Sequence, residues 1–315
     1  MRKTLYLHIG MHKTGTTALQ LFFSANQNDL ADEVCYPAAG NNGISHGSLS
    51  NSMKGALWEE KFEEMQRMMG RIENTHYTQV SASERQEILT KLSHEIAASR
   101  ARRVLLSSEG FFEWIPPAEL RGQFDWFEGE IKVVLYLRRQ DSWIKSVYNQ
   151  VVKDEYIRYY GSPKSLPQIG LMDISGYLDN LSIAFGKSSV FLRLWYPNLD
   201  VVSDFFENIL NLDLRKRTGI ISWTNRENRS LPDLLLPLQR LGNRFSFLYS
   251  LSRRLARSSF LLELLESVPP YRSFWGEFDF ASVYRESNKR IMRDYPSIRV
   301  GTPENELRYF CFDDL

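Results

Sequence analysis

The sequence predicts an α/β fold of three layers, α/β/α, with a central parallel sheet and extra helices in the C-terminal third. Three observations predict it. Four short apolar runs, Thr4 to Ile9, Val104 to Leu106, Val133 to Leu137 and Val190 to Leu194, have the length and composition of strands buried on both faces. Helical patterns separate them, and strands alternating with helices give a parallel sheet covered on both sides. The first run stops at Gly10 and a helical pattern (Ala18, Leu19, Leu21, Phe22, Phe23) starts from Thr16, so the chain opens as strand, tight turn and helix. In such a sheet, ligands bind where the carboxyl ends of the strands meet the loops that follow.

Residues 36–55 are rich in Gly, Asn and Ser and read as a loop. Leu57 to Ile72 and Ser81 to Ala98 read as helices. In the second, Ser81 and Glu84 have capping-box spacing, and Ile88, Leu89, Leu92 and Ile96 form the apolar face. Residues 225–275 mix apolar side chains (Phe245, Phe247, Leu248, Leu251) with Arg253, Arg254 and Arg257, and are expected to form lid-like helices packed beside the sheet with their arginines in water. The alternative for a basic amphipathic helix is contact with a membrane surface.

The 315 residues are read as a single domain, large enough to bury its own core. With 39 basic against 38 acidic residues the net charge is +1, and no global field points to nucleic acid as a partner. Cys35 and Cys311 are too few for a disulfide framework and lack the paired spacing of a zinc site. The first apolar run is too short for a signal peptide and no later one approaches ~20 residues, so a soluble, cytoplasmic protein is expected.

The turn itself reads Gly10-Met11-His12-Lys13-Thr14-Gly15-Thr16-Thr17. A Walker A loop reads G-x-x-x-x-G-K-[ST], and Gly10 and Gly15 have that spacing, which makes the predicted fold P-loop NTPase-like. Thr16, however, stands at the lysine position, and the lysine has moved into the loop at Lys13. The physics of anion binding survives the move. Glycine permits close backbone approach, the helix start offers free N–H groups and a positive dipole end, and Lys13 supplies charge. The bland alternative is a Gly-Thr turn with an exposed lysine.

A second segment, Val133 to Gln150, runs from strand into helix and sets Ser146 eight residues after Arg138. That spacing can bring a guanidinium and a hydroxyl onto one anion, and the planar fork of arginine gives one phosphate two hydrogen bonds. The arrangement Lys13-Thr14-Gly15-Thr16-Thr17 after an N-terminal strand resembles the 5′-phosphosulfate loop of sulfotransferases that use 3′-phosphoadenosine 5′-phosphosulfate (PAPS). Arg138 and Ser146 match the residues that bind the donor's 3′-phosphate in that family. The stretch from Asp173 to Asp204, Asn228 to Leu231 and Tyr284 to Arg290 resemble later segments of its bacterial, carbohydrate-sulfating branch, while the Arg-Lys-Gly signature of the cytosolic branch is absent.

The resemblance implies transfer of a sulfuryl group from PAPS, releasing PAP, to a hydroxyl or amine of a small molecule or glycan. His12, Lys13, Thr14, Gly15, Thr16 and Thr17 would hold the phosphosulfate end, and Arg138 and Ser146 the 3′-phosphate. Asn228 and Ser230 would add donor contacts, although a helix cap is a sufficient reading of Ser230. Lys13 would stabilise the leaving group. A lipid-linked acceptor would imply peripheral membrane contact.

Two residues are candidates for the base that takes the acceptor's proton. Glu109, just past the apolar run Val104 to Leu106, needs burial to raise its basicity. His46, in the stretch Gly40 to Gly47 that can fold over an acceptor cleft, has a suitable free imidazole. Against both stands an ordinary role, Glu109 capping the next turn and His46 as a plain loop histidine. No carboxylate cluster is spaced for a divalent metal, and none is expected to be required. The rival functions are a P-loop nucleotide kinase or NTPase, and a nucleotide-binding protein without catalysis.

Overall fold

The computed structural model describes residues 2–54, 80–113, 115–155, 157–162, 166, 173–214, 231, 235–256 and 279–313. The expected helix over 57–72, Asn228, Ser230 and the stretch 257–275 lie outside them. The described helices include none long and apolar enough to cross a membrane.

Among the described residues, five parallel strands form one sheet in the order β2-β3-β1-β4-β5. They are β1 (Thr4–Gly10), β2 (Val34–Cys35), β3 (Arg103–Ser107), β4 (Glu130–Leu137) and β5 (Val190–Leu194). β1 is central. Leu5 lies opposite Val104 of β3 on one side and Ile131 of β4 on the other. Alternate residues of a strand face opposite sides, and the two faces carry separate cores. Leu5, Leu7 and Ile9 belong to one cluster with Val133, Trp143, Leu181 and Phe310, whereas Tyr6 belongs to the other with Phe22, Phe23, Tyr136 and Phe205. Both faces are therefore covered, as a parallel sheet requires.

Helices α1 (Thr16–Ala25), α2 (Gly47–Ser52) and α3 (Ala82–Ala98) come first. α3 starts at the expected capping box: the Ser81 hydroxyl accepts from the Glu84 amide at 3.2 Å, and the Glu84 carboxylate accepts from the Ser81 amide at 2.8 Å. After β4 come α4 (Gln140–Lys153) and α5 (Ile174–Phe185), then α6 (Leu235–Arg244), α7 (Ser246–Ala256), α8 (Phe280–Asp294) and α9 (Glu304–Phe310). α5 ends at Gly186 with φ of 84°, a conformation that glycine adopts at no steric cost.

Two expectations change. Residues 36–55 are not all loop, because Gly47–Ser52 forms a short helix. The apolar residues of α6 and α7 are not all packed beside the sheet, since Phe245 and Phe247 are 42% and 79% exposed.

Under the β4–β5 side of the sheet, Arg193 donates to Asp204 through Nε at 2.9 Å and again through Nη2. The Tyr136 hydroxyl donates to the same carboxylate at 2.7 Å, and the Arg193 Nη1 reaches the carbonyls of Ser297, at 3.1 Å, and Val300. This buried network ties β5 to the segment after α8. Just past β5, the Trp195 amide donates to the Leu137 carbonyl at 2.7 Å.

Candidate functional site

The turn after β1 lies at the carboxyl end of the central strand. Its pairing with β4 slips between His8 and Gly10, which frees the chain to curl out of the sheet. Gly10 has φ of 107°, Lys13 φ of 65° and Gly15 φ of 85°, so three residues of the turn lie at positive φ. At Gly15 a side chain would also collide with Val201, the added Cβ standing 2.9 Å from Val201 Cγ1. Thr14 and Thr16 turn their hydroxyls inward, both donating to the Met11 carbonyl, at 2.6 and 3.2 Å. They brace the turn, which leaves their backbone amides rather than their hydroxyls for a ligand. Thr17 is exposed at the start of α1. Gly15, the residue before that helix, offers no side-chain cap, and the first turn carries no acid, so the helix start keeps its positive end open.

Arg138, at the end of β4, belongs to the same place. Its Nη1 donates to the Lys13 carbonyl at 3.0 Å, its Nε donates to the Ser142 hydroxyl at 2.9 Å, and its guanidinium stacks on the Trp195 ring 4.1 Å from the centroid. Burial lowers it to about 10, opposed by Tyr309 and Asp141, so it stays charged at neutral pH. Ser142 and Ser146 are one helical turn apart on α4, so Ser146 continues the row that Ser142 begins, and it is partly exposed. Trp143 adds a second strut, its Nε1 donating to the His12 carbonyl at 3.0 Å. The neighbouring Arg139 has a different job. It is 8% exposed, paired twice with Asp141 at 2.7 and 2.6 Å, and stacked on Tyr309 and Phe312.

Glu109 follows β3 and stands against the turn, since a Cβ added to Gly10 would lie 3.5 Å from its Cα. Its Oε1 is 3.5 Å from His12 Nδ1. Burial pushes this carboxyl up, as a base would need, but His12, His8 and Lys13 pull it down by more, and it ends below the ordinary carboxylate range. The expected rise in basicity is therefore absent. Lys13 is pushed below the ordinary lysine range by burial, against the pull of Glu109 and with repulsion from Lys153 and Arg138.

His46 does not cover a cleft. Its ring is fully buried, accepts from the Ser107 amide at Nδ1 (3.1 Å) and donates from Nε2 to the Pro37 carbonyl at 3.0 Å, while its own amide donates to the Ser107 carbonyl at 2.8 Å. It stitches residues 36–52 onto the end of β3. With both ring nitrogens engaged, the base role expected for it is corrected to a structural one.

His46 and His8 share a property. Burial lowers each to about 4, opposed by the Glu109 charge at His8 and by backbone contacts at His46. An unfolded histidine titrates near ~6.5. Between those values the unfolded chain binds more protons, so the stability these rings contribute is complete above ~6.5 and is lost as pH falls towards 4. Each ring contributes up to about 3 kcal/mol. Urea midpoints are expected to fall steadily from about pH 7 to about pH 5; a flat profile would count against neutral buried rings.

Sequence reasoning missed Ser142, Trp143 and Trp195. Trp195 had a usable signal, an aromatic just past β5 beside the strand that carries Arg138. Ser142 had a weaker one, four residues from Arg138 across a junction where the chain changes from strand to helix.

No family model matches the chain, and no solved structure matches it. It is similar to an uncharacterized protein of Archaeoglobus fulgidus, 28% identical over 173 residues, which is 52% of this chain and 45% of that relative. The matched stretch thus spans less than half of the relative's own length.

Proposed function

We propose that this chain is a PAPS-dependent sulfotransferase with a P-loop NTPase-like sheet, acting on a hydroxyl or amine of a small molecule or glycan. One observation carries the reading: Arg138, the residue after β4, is hydrogen-bonded to the carbonyl of Lys13 at 3.0 Å, which gathers two cations and an uncapped helix start at the ends of adjacent strands. Such a site suits a ligand with more than one anionic group. The rival NTPase reading wants a lysine at position 16. Thr16 is buried there, its hydroxyl turned into the turn.

The chemistry needed is modest. PAPS supplies an activated sulfuryl group with a good leaving group. The acceptor's O–H or N–H bond breaks as its heavy atom bonds to sulfur, and the S–O bond to the nucleotide phosphate breaks with its electron pair staying on that oxygen. Lys13 neutralises the charge growing there, much as fixed cations do in phosphoryl transfer. Arg138, with Ser142 and Ser146 on the neighbouring face of α4, holds the 3′-phosphate. The acceptor's proton goes to the pair formed by His12 and Glu109, in which the carboxylate orients the imidazole and stabilises its protonated form.

A thermal melt separates the readings. A ligand at 100 times its dissociation constant adds about 2.7 kcal/mol, or about 4 °C for a chain of this size. PAP is expected to give that shift and ATP with Mg²⁺ much less. Preferential stabilisation by ATP with Mg²⁺ would favour the kinase or NTPase reading.

A further inference from the structure

The hairpin of α6 and α7 presents an apolar stripe that its own packing leaves in water. Leu241 and Phe245 on α6, and Phe247 and Leu251 on α7, are 49%, 42%, 79% and 54% exposed. Leu241, Arg244 and Phe245 are spaced i, i+3, i+4, and Phe247, Leu251 and Arg254 are spaced i, i+4, i+7, so each helix shows them on one face. The Phe245 and Phe247 rings, 6.1 Å apart, join the two faces across the bend.

The opposite side of the hairpin does the docking. Asn243 donates to the carbonyls of Val152 and Tyr159 at 2.8 and 2.9 Å, and Arg253 donates to the Lys153 carbonyl at 3.1 Å. Between the helices Gly242 packs so tightly on Ser252 that an added Cβ would stand 2.0 Å from its hydroxyl oxygen. Docked by these contacts, the hairpin holds its phenylalanines outward.

Charge identifies the occupant. Between Leu235 and Ala256 the ionisable side chains that carry full charge are Arg240, Arg244, Arg253 and Arg254, with no Asp, Glu or Lys, in a chain whose net charge is only +1. Arg244 and Arg254 are exposed beside the apolar stripe. We infer that this face rests on an anionic lipid surface, with the phenylalanines and leucines entering the headgroup–acyl boundary and the arginines meeting lipid phosphates. Aromatic and aliphatic side chains bordered by arginine are what an interfacial helix requires, and two short helices give reversible rather than permanent attachment. The inference stands on these helices alone and does not depend on the sulfotransferase reading.

Co-sedimentation of the full chain with phosphatidylcholine vesicles, with and without added phosphatidylglycerol, tests it. Binding is expected to be about ten-fold tighter with the anionic lipid and to weaken with salt. The double variant Phe247→Ser/Leu251→Ser should lose it with its melting temperature unchanged, and Arg244→Ser/Arg254→Ser should lose the anionic preference. Equal binding to both vesicles, or none, would overturn the inference. So would a lowered melting temperature in Phe247→Ser/Leu251→Ser, which would show the stripe packed within the chain, or a parent dimer that this variant abolishes, which would assign the face to a second copy.

Discussion

Replacing Lys13 with methionine is expected to slow single-turnover consumption of PAPS about 10³-fold, since removing one preorganised charge-stabilising group from a transfer site costs on the order of 3–4 kcal/mol. Binding of PAP should weaken far less, because the amides at the start of α1 and the Arg138 guanidinium remain. The split follows from where charge develops. The bridging oxygen gains its negative charge as the S–O bond breaks, so a cation there acts on the rate more than on the ground state. Arginine at position 13 should rescue poorly. The backbone at φ of 65° is shared with the carbonyl that Arg138 holds, and a broad guanidinium does not replace a compact ammonium. An unchanged rate in Lys13→Met would remove the lysine from the reaction.

The second large effect is on stability. Arg193→Met leaves the Asp204 carboxylate buried with the Tyr136 hydroxyl and the Asn208 amide, at 2.7 and 2.9 Å, but without its cation. Breaking a buried pair from one side costs about 3–5 kcal/mol. For a chain of this length that is a fall in melting temperature of about 5–8 °C. Arg193→Met/Asp204→Leu should recover part of the loss, because the uncompensated charge goes with the second change. The site should feel the single variant too, since the strand that carries Arg193 leads directly into Trp195, the platform under Arg138. Calorimetric melts of both variants check the expectation, and a loss within 1 °C or so for Arg193→Met would show that the pair contributes little.

The sheet was legible because its strands are nearly continuous apolar runs, and the expected strands at 104–106, 133–137 and 190–194 lie within or coincide with the observed ones. β2 was not legible. Two residues, Val34 and Cys35, are too few to make a pattern, and they pair only because β3 offers an edge. The capping box of α3 could be read directly, since its hydrogen bonds connect residues three apart.

The candidate site divides in the same way. Its local part, the turn from Gly10 to Thr17, follows from spacing, but the inward rotation of Thr14 and Thr16 depends on the Met11 carbonyl and shows only in three dimensions. His46 was misread because its surroundings in sequence are Gly, Asn and Ser, which look like a mobile loop. Its partners Pro37 and Ser107 lie 9 and 61 residues away. Glu109 stands at the strand end as expected, yet its basicity is set by burial, which raises it, against His12, His8 and Lys13, which lower it by more and come near it through the β1–β3 pairing. The phenylalanines of α6 and α7 were expected inside because they are apolar, whereas polar contacts to backbone carbonyls decide which side of the hairpin docks.

The most direct test of the central claim uses two labels. The purified chain is incubated with a cell extract and either PAPS labelled at sulfur or ATP labelled at the γ-phosphate, with Lys13→Met as the control for transferases already in the extract. Label from PAPS appearing in a product with the parent chain and not with Lys13→Met, and none from ATP, is the predicted result. Transfer from ATP, or equal sulfur transfer by parent and variant, would contradict it.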